Sequence, residues 1–299
     1  MARCSLAGLL ESPSPGPHVS DLAPFWRDVL SDLNRQPMAA TIDPLDLRST
    51  DFARCHAVRL SSVDDYRLFA YFSAPDGSGP HPAILHASGY ASVVQVPSYE
   101  ERRTYASLAM CARGQRLSDR PYAAAFPGLL TDRIEDPGRS PLRGIVADNI
   151  RAVEFLSGQS EVDPDRIVVV GSDMALFATA LAPGIRAAVV ADPLLVNLGT
   201  LAHTVHDYPH EEINDYLRAF PDREETVRAS LEIFDPSRLS DRIAARVLLS
   251  CGPPGSYFDR GRAETLARRI PRAEIYERTG RGYLDRIAIE RWIAEAIAA

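Results

Sequence analysis

The chain has 299 residues, 45% of them hydrophobic, and a formal net charge of -7. That is enough length and apolar content for a full layered core, and the acidic balance gives no electrostatic footprint for nucleic acid. Every basic residue is arginine; with no lysine in the sequence, Schiff-base chemistry on a lysine is excluded.

Along the chain, Ser20 is placed to cap a helix over residues 21–33, with Phe25, Trp26, Val29 and Leu30 on one face. A connector rich in Pro and Asp runs to about Ser49. Residues 57–60 and 66–72 alternate like two hairpin strands. Residues 82–86 are apolar without alternation, as in a strand covered on both faces. Further buried strands are expected at 108–112, 167–170, 187–191, 247–251 and 273–276. Helical patterns fall at 143–156, 175–181, 263–269 and 286–298. Strands alternating with helices mean right-handed crossovers and a doubly wound, mostly parallel α/β sheet. The long segment 197–241, with little strand character, fits a helical cap inserted after a strand. The expected organisation is an N-terminal arm and helix over 1–49 packing on a single α/β domain over 50–299.

The four cysteines, Cys4, Cys55, Cys111 and Cys251, are scattered without a C-x-x-C pair, against zinc-ribbon and thioredoxin-like readings. No stretch reaches the ~18 consecutive apolar residues of a membrane span. The first residues lack the apolar core and cleavage site of a secretory signal. The expectation is a cytoplasmic protein with a loose arm, a small-molecule substrate, no membrane or nucleic-acid partner and no cofactor or metal.

The most informative segment is Val168-Val169-Val170-Gly171-Ser172-Asp173-Met174-Ala175. A β-branched run followed by a helix former is the setting of a G-x-S-x-G nucleophile elbow. Here an aspartate stands where the nucleophilic serine is expected, and alanine replaces the second glycine. No histidine follows His210, although the usual order in this fold is Ser, then Asp or Glu, then a late His.

Other segments carry a family resemblance. Asp21-Leu22-Ala23-Pro24-Phe25-Trp26, His86-Ala87-Ser88-Gly89-Tyr90, Arg113-Gly114-Gln115, Glu161-Val162-Asp163-Pro164-Asp165-Arg166-Ile167, Pro209-His210-Glu211-Glu212-Ile213-Asn214-Asp215-Tyr216-Leu217 and Leu231-Glu232-Ile233-Phe234-Asp235 appear in order. In that order they resemble the acetyl xylan esterase/cephalosporin C deacetylase family of α/β-hydrolases. The second resembles its H-G-Y oxyanion loop, and the third its R-G-Q motif, with Arg116 where a glycine is usual. The resemblance implies the α/β-hydrolase fold and a homo-oligomer, the family forming hexameric rings. It also implies losses at the chemistry. The nucleophile aligns with Asp173, the triad acid meets Pro253-Pro254-Gly255, and the G-H of the general base meets Gly280-Arg281.

Asp173 is the expected catalytic residue, and its role stays open between general base, nucleophile and helix cap. Ser172 becomes the nucleophile only if the elbow shifts by one. Tyr90 and Met174 resemble the oxyanion donors, through their main-chain N–H groups. His86 is expected to hold its loop by bonding loop backbone, with an acid–base role as the alternative. Arg281 is a candidate for gripping a substrate carboxylate or enolate, or else a surface residue. His203, His206 and His210 do not make a metal site. The main functional expectation is a non-hydrolytic enzyme, a lyase, cyclase or isomerase of specialised metabolism. It would act on an acyl-bearing small molecule, for instance by eliminating acetate with Asp173 as base. Two alternatives stand beside it: a catalytically inactive homologue with a binding or assembly role, and a residual carboxylic ester hydrolase (deacetylase). A polar-ended cavity with Asp173 at its base is expected of an enzyme, a Leu- or Phe-filled one of a silent homologue.

Overall fold

The computed structural model describes residues 22–90, 96–118 and 127–298. The proposed cap Ser20, the arm before it and Cys4 lie outside the described residues. Helix α1 (Leu22–Arg35) buries Leu22, Trp26, Val29, Leu30 and Leu33 along one stripe, the positions that a 3.6-residue period places on one face.

Among the described residues, nine strands form one sheet in the order β1-β2-β3-β5-β4-β6-β7-β8-β9. They are β1 (Thr41–Pro44), β2 (Ala53–Ser62), β3 (Tyr66–Pro75), β4 (His81–His86), β5 (Ala106–Cys111), β6 (Val162–Gly171), β7 (Ile185–Ala191), β8 (Arg246–Cys251) and β9 (Ala273–Glu277). The pairs β1–β2, β2–β3 and β3–β5 are antiparallel, and every pair from β5–β4 onward is parallel. Strand β1 occupies what the sequence suggested was connector. All four of its residues are exposed, so it carries no alternation to read.

Helix α2 (Tyr99–Thr104) precedes β5, α3 (Pro141–Ser157) precedes β6, and α4 (Asp173–Leu181) leaves it. Helices α5 (Leu198–Leu201), α6 (Glu211–Ala219) and α7 (Glu224–Ile233) form the expected helical insertion between β7 and β8. Helices α8 (Arg260–Ala267) and α9 (Gly282–Ala298) flank β9. None of the helices among the described residues is long and apolar enough to cross a membrane.

The sheet is covered on both faces, which is why its parallel strands read as unbroken apolar runs. On one face α1, α3 and α4 share the main core, where the Trp26 ring lies 5.1 Å from Phe177 and 6.2 Å from Phe234. On the other, Ile84, Val168, Val189 and Leu248 meet Trp292 and Ile293 of α9. Cys55, Cys111 and Cys251 are buried free thiols, and burial raises the pKa of each.

The R-G-Q segment has a structural use. Arg113 reaches into the core to Asp148, which is fully buried: Nε donates to Oδ2 at 3.0 Å and Nη2 to Oδ1 at 2.8 Å. A methyl group on Gly144 would overlap that guanidinium, so glycine there clears its path. Gln115 donates from Nε2 to Gly89 O at 2.8 Å, and Asn149 Oδ1 accepts the Ser88 N–H at 3.1 Å. Buried side chains thus fix the 87–90 loop at the end of β4. Arg116, where the resemblance called for glycine, has φ +39°, a left-handed backbone that a side chain disfavours.

Candidate active site

Asp173 is the first residue of α4, immediately beyond the C-terminal edge of β6, and is 5% exposed. Ligands in open α/β sheets bind at this edge. Neither Ser172 nor Asp173 has a positive φ, so the turn lacks the strained backbone of a nucleophile elbow. The carboxylate turns toward the loop after β7. Leu194 N–H donates to Oδ2 at 2.9 Å and Leu195 N–H to Oδ1 at 2.8 Å. The Ser172 hydroxyl lies 3.2 Å from Oδ2 and 3.0 Å from Asp192 O, with one proton to give to either. Burial pushes the Asp173 pKa up to about 6, against the pull of the two amides and the hydroxyl. A carboxylate has about four acceptor positions; the N–H groups of Leu194, Leu195 and Asp173 itself take three, so one is open when the Ser172 hydroxyl turns to Asp192 O instead.

The Leu194 peptide is held from its other side too. Its carbonyl accepts from the Tyr257 hydroxyl at 3.0 Å and from His210 Nε2 at 3.2 Å. A carbonyl only accepts, so Nε2 carries the proton. The His210 and Tyr257 rings stack with centroids 4.0 Å apart. Burial lowers the His210 pKa, and burial followed by the Asp173 charge raises that of Tyr257. Asp173, Tyr257 and His210 therefore converge on one peptide unit. Sequence reading gave His210 no role and did not single out Tyr257, because the unit joining them is main chain.

Tyr90, Met174, Ser88 and Gly89 line a cavity with Asp173; its volume is about 20 Å³, room for roughly one water molecule. Leu129, Leu130, Leu142, Ile145 and Leu195 supply the apolar walls. The Tyr90 hydroxyl donates to Glu212 Oε1 and lies 3.2 Å from the Tyr208 hydroxyl. Glu212 Oε2 accepts the Leu130 N–H at 2.8 Å, so the cap residue Glu212 clips the loop bearing Tyr90 over the cavity.

Two expectations are corrected. His86 does not hold its loop through backbone: its Nε2 lies 2.7 Å from Glu101 Oε1 on α2, and it faces the side of the sheet that α9 covers. Arg281 is exposed and lines no part of the Asp173 cavity. The arginine at the ends of β8 and β9 is Arg278. It donates from Nη1 to Ser250 O at 3.0 Å and from Nη2 to both Asp192 carboxylate oxygens at 2.9 and 2.7 Å. Beside it, the turn after β8 runs Gly252-Pro253-Pro254-Gly255 and offers no carboxylate.

A mostly parallel sheet flanked by helices, a strand–turn–helix elbow at its C-terminal edge and a cap inserted after the next strand define an α/β-hydrolase fold. The family model described as Acetyl xylan esterase (AXE1) matches residues 5–254, and the chain belongs to that family. Among solved structures, the acetyl xylan esterase from Paenibacillus sp. R4 superposes with a TM-score of 0.83 at 22% identity, covering 97% of this chain and 99% of that one. Acetyl xylan esterase 1 from Thermoanaerobacterium sp. JW/SL YS485 gives 0.82 at 23% identity, covering 97% and 98%. In sequence, the acetyl esterase Axe7A of Xylanibacter ruminicola is 21% identical over 64% of this chain and 47% of its own length. The uncharacterized protein Rv2307c of Mycobacterium tuberculosis is 32% identical over 39% of this chain and 37% of its own. The chain thus spans less than half the length of these curated relatives.

Proposed function

We propose that this chain acts on acetyl esters, the substrate class named in its relatives, as a slow deacetylase in which water attacks directly and no acyl-enzyme forms. The supporting observation is the elbow carboxylate itself, ionisable with a pKa of about 6, beside a cavity of about 20 Å³. In that reading Asp173 takes the proton of a water held in the cavity as the water adds to the ester carbonyl. Main-chain N–H groups of Tyr90 and Met174 stabilise the oxyanion. Collapse of the tetrahedral intermediate expels the alkoxide, which takes up the proton, and releases acetate. Turnover requires the Tyr90–Glu212 clip to open, because the closed cavity has no room for an acetyl group beside the water.

The test is acetate release from 4-nitrophenyl acetate by wild type, Asp173→Asn and Ser172→Ala. The proposal expects no pre-steady-state burst, a rate that rises with pH and levels above about 6, and an unchanged rate for Ser172→Ala. Asp173→Asn should lose ~10²–10⁴-fold, the usual worth of a general base. A burst abolished by Ser172→Ala overturns the proposal in favour of a serine acyl-enzyme. A second reading, a silent homologue, is favoured by the leucine-lined walls and the ties on both Asp173 oxygens; it expects wild type and Asp173→Asn to be alike. Elimination of acetate would use the same base and niche, and differs in the origin of the acetate oxygens.

A further inference from the structure

A second and larger cavity, about 790 Å³, lies between α2 and α9 across the ends of β4 and β6. That volume falls in the ~300–1,000 Å³ range of small-molecule sites. Strand alternation explains its floor: Ile84 and His86 of β4, like Val168 and Val170 of β6, point to the α9 face. Ile84 and Val170 line it from the sheet, Ile289 and Ile293 from α9, and Tyr105 from the residue after α2. It lies on the face of the sheet opposite to that of the α3 residues Leu142 and Ile145, which line the Asp173 cavity.

The polar groups of this cavity are mostly acceptors. His86 Nε2 lies 2.7 Å from Glu101 Oε1. An ionised carboxylate cannot donate, so Nε2 bears a proton, and whenever the ring is neutral Nδ1 is an acceptor. Among the described residues Nδ1 has no partner. Glu100, Glu101, Asp285 and Glu290 line the space, against Arg278 and Arg286. Arg278 is held by Asp192 on both carboxylate oxygens, Arg286 and Glu290 pair at 3.6 Å, and Asp285 accepts from the Tyr276 hydroxyl and from Thr279, which leaves Glu100 and Glu101 as the carboxylates facing the space. The walls therefore disfavour an anion and offer acceptors beside an apolar floor.

We propose that this cavity is a binding site for an amphipathic organic amine. Its apolar body lies on Ile84, Val170, Ile289 and Ile293, and its ammonium group donates toward His86 Nδ1 and the carboxylates of Glu100 and Glu101. The bland role for the His86–Glu101 pair is to tie α2 to β4. That role needs only the one hydrogen bond, and leaves the apolar floor and the open acceptor without a use.

The experiment is calorimetric titration of the full chain with hexylamine, octylamine and 2-phenylethylamine, with hexanoate and 1-hexanol as controls. At least one amine should bind with Kd below about 1 mM and shift the His86 ring ¹⁵N resonances. The acid and the alcohol should bind at least ~10-fold more weakly, about 1.4 kcal/mol. Ile289→Trp, which fills the floor, should cost at least as much, and Asp173→Asn should leave amine affinity unchanged. If Ile289→Trp melts earlier than wild type, Glu101→Gln, which removes a charge and keeps the shape, replaces it with the same expected loss. Absence of binding by all three amines, equal affinity for hexanoate, or unchanged affinity in the folded variant overturns the proposal.

Discussion

Replacing Asp173 by Asn should change stability in a way that depends on pH. The folded carboxyl titrates at about 6, against 3.8 for the free group. Two pKa units are worth about 3 kcal/mol. The pKa is raised on folding, so the folded state holds the proton more tightly. This contribution is fully present below the unfolded pKa and is lost as pH rises through about 6. Between pH 4.5 and 7.5 wild type should therefore lose about 2 kcal/mol that an Asn variant does not lose. Asn carries its own cost. Its NH₂ must face either the Leu194 or the Leu195 N–H, leaving a buried donor unmet at about 1–3 kcal/mol. The variant should be clearly less stable than wild type at pH 4.5, with the gap closing by about 2 kcal/mol at pH 7.5. Urea unfolding of both proteins at the two pH values, followed by fluorescence of Trp26 and Trp292, measures that difference of differences. A gap constant to within about 0.5 kcal/mol, or one that widens with pH, would refute the claim that burial dominates the amides at Asp173.

Three further outcomes follow from the frame around the site. Arg116→Gly, which relieves a side chain at φ +39°, should raise stability by about 0.5–1 kcal/mol in thermal melts; a loss would mean the Arg116 side chain holds more than its backbone costs. Asp148→Ala leaves the Arg113 guanidinium buried without its main partner and should cost about 3–5 kcal/mol by denaturant titration. Gly144→Ala should also destabilise, because its methyl overlaps the Arg113 guanidinium; an unchanged midpoint would mean that Arg113 can leave Asp148 freely.

The parallel strands were legible because each is an apolar run buried on both faces, and the elbow because a β-branched run met a helix former at Gly171. Strand β1 was hidden by its exposure, and α2 by its six residues Tyr99–Thr104, too short for a stripe. At the site, the position of Asp173 could be read from its neighbours in sequence. The groups that hold it could not, since Leu194, Tyr257 and His210 come from three segments and meet through a main-chain carbonyl. Arg278 was passed over for Arg281 because alignment weighs the Gly280 beside it. In space, it is the guanidinium three residues earlier that reaches Asp192.

In the proposed reaction an acetyl ester beside Asp173 is cleaved by hydrolysis, its acyl carbon taking an oxygen from water, and not by elimination; the burst kinetics and Ser172→Ala separate direct attack from an acyl-enzyme. The most direct test of hydrolysis is the isotopic content of acetate released in H₂¹⁸O from an acetylated xylo-oligosaccharide, by mass spectrometry, with Asp173→Asn as control. The acetate should carry one solvent oxygen and form faster with wild type than with the variant. Unlabelled acetate would mean elimination, and no acetate above the variant would mean a silent site; either result contradicts hydrolysis at Asp173.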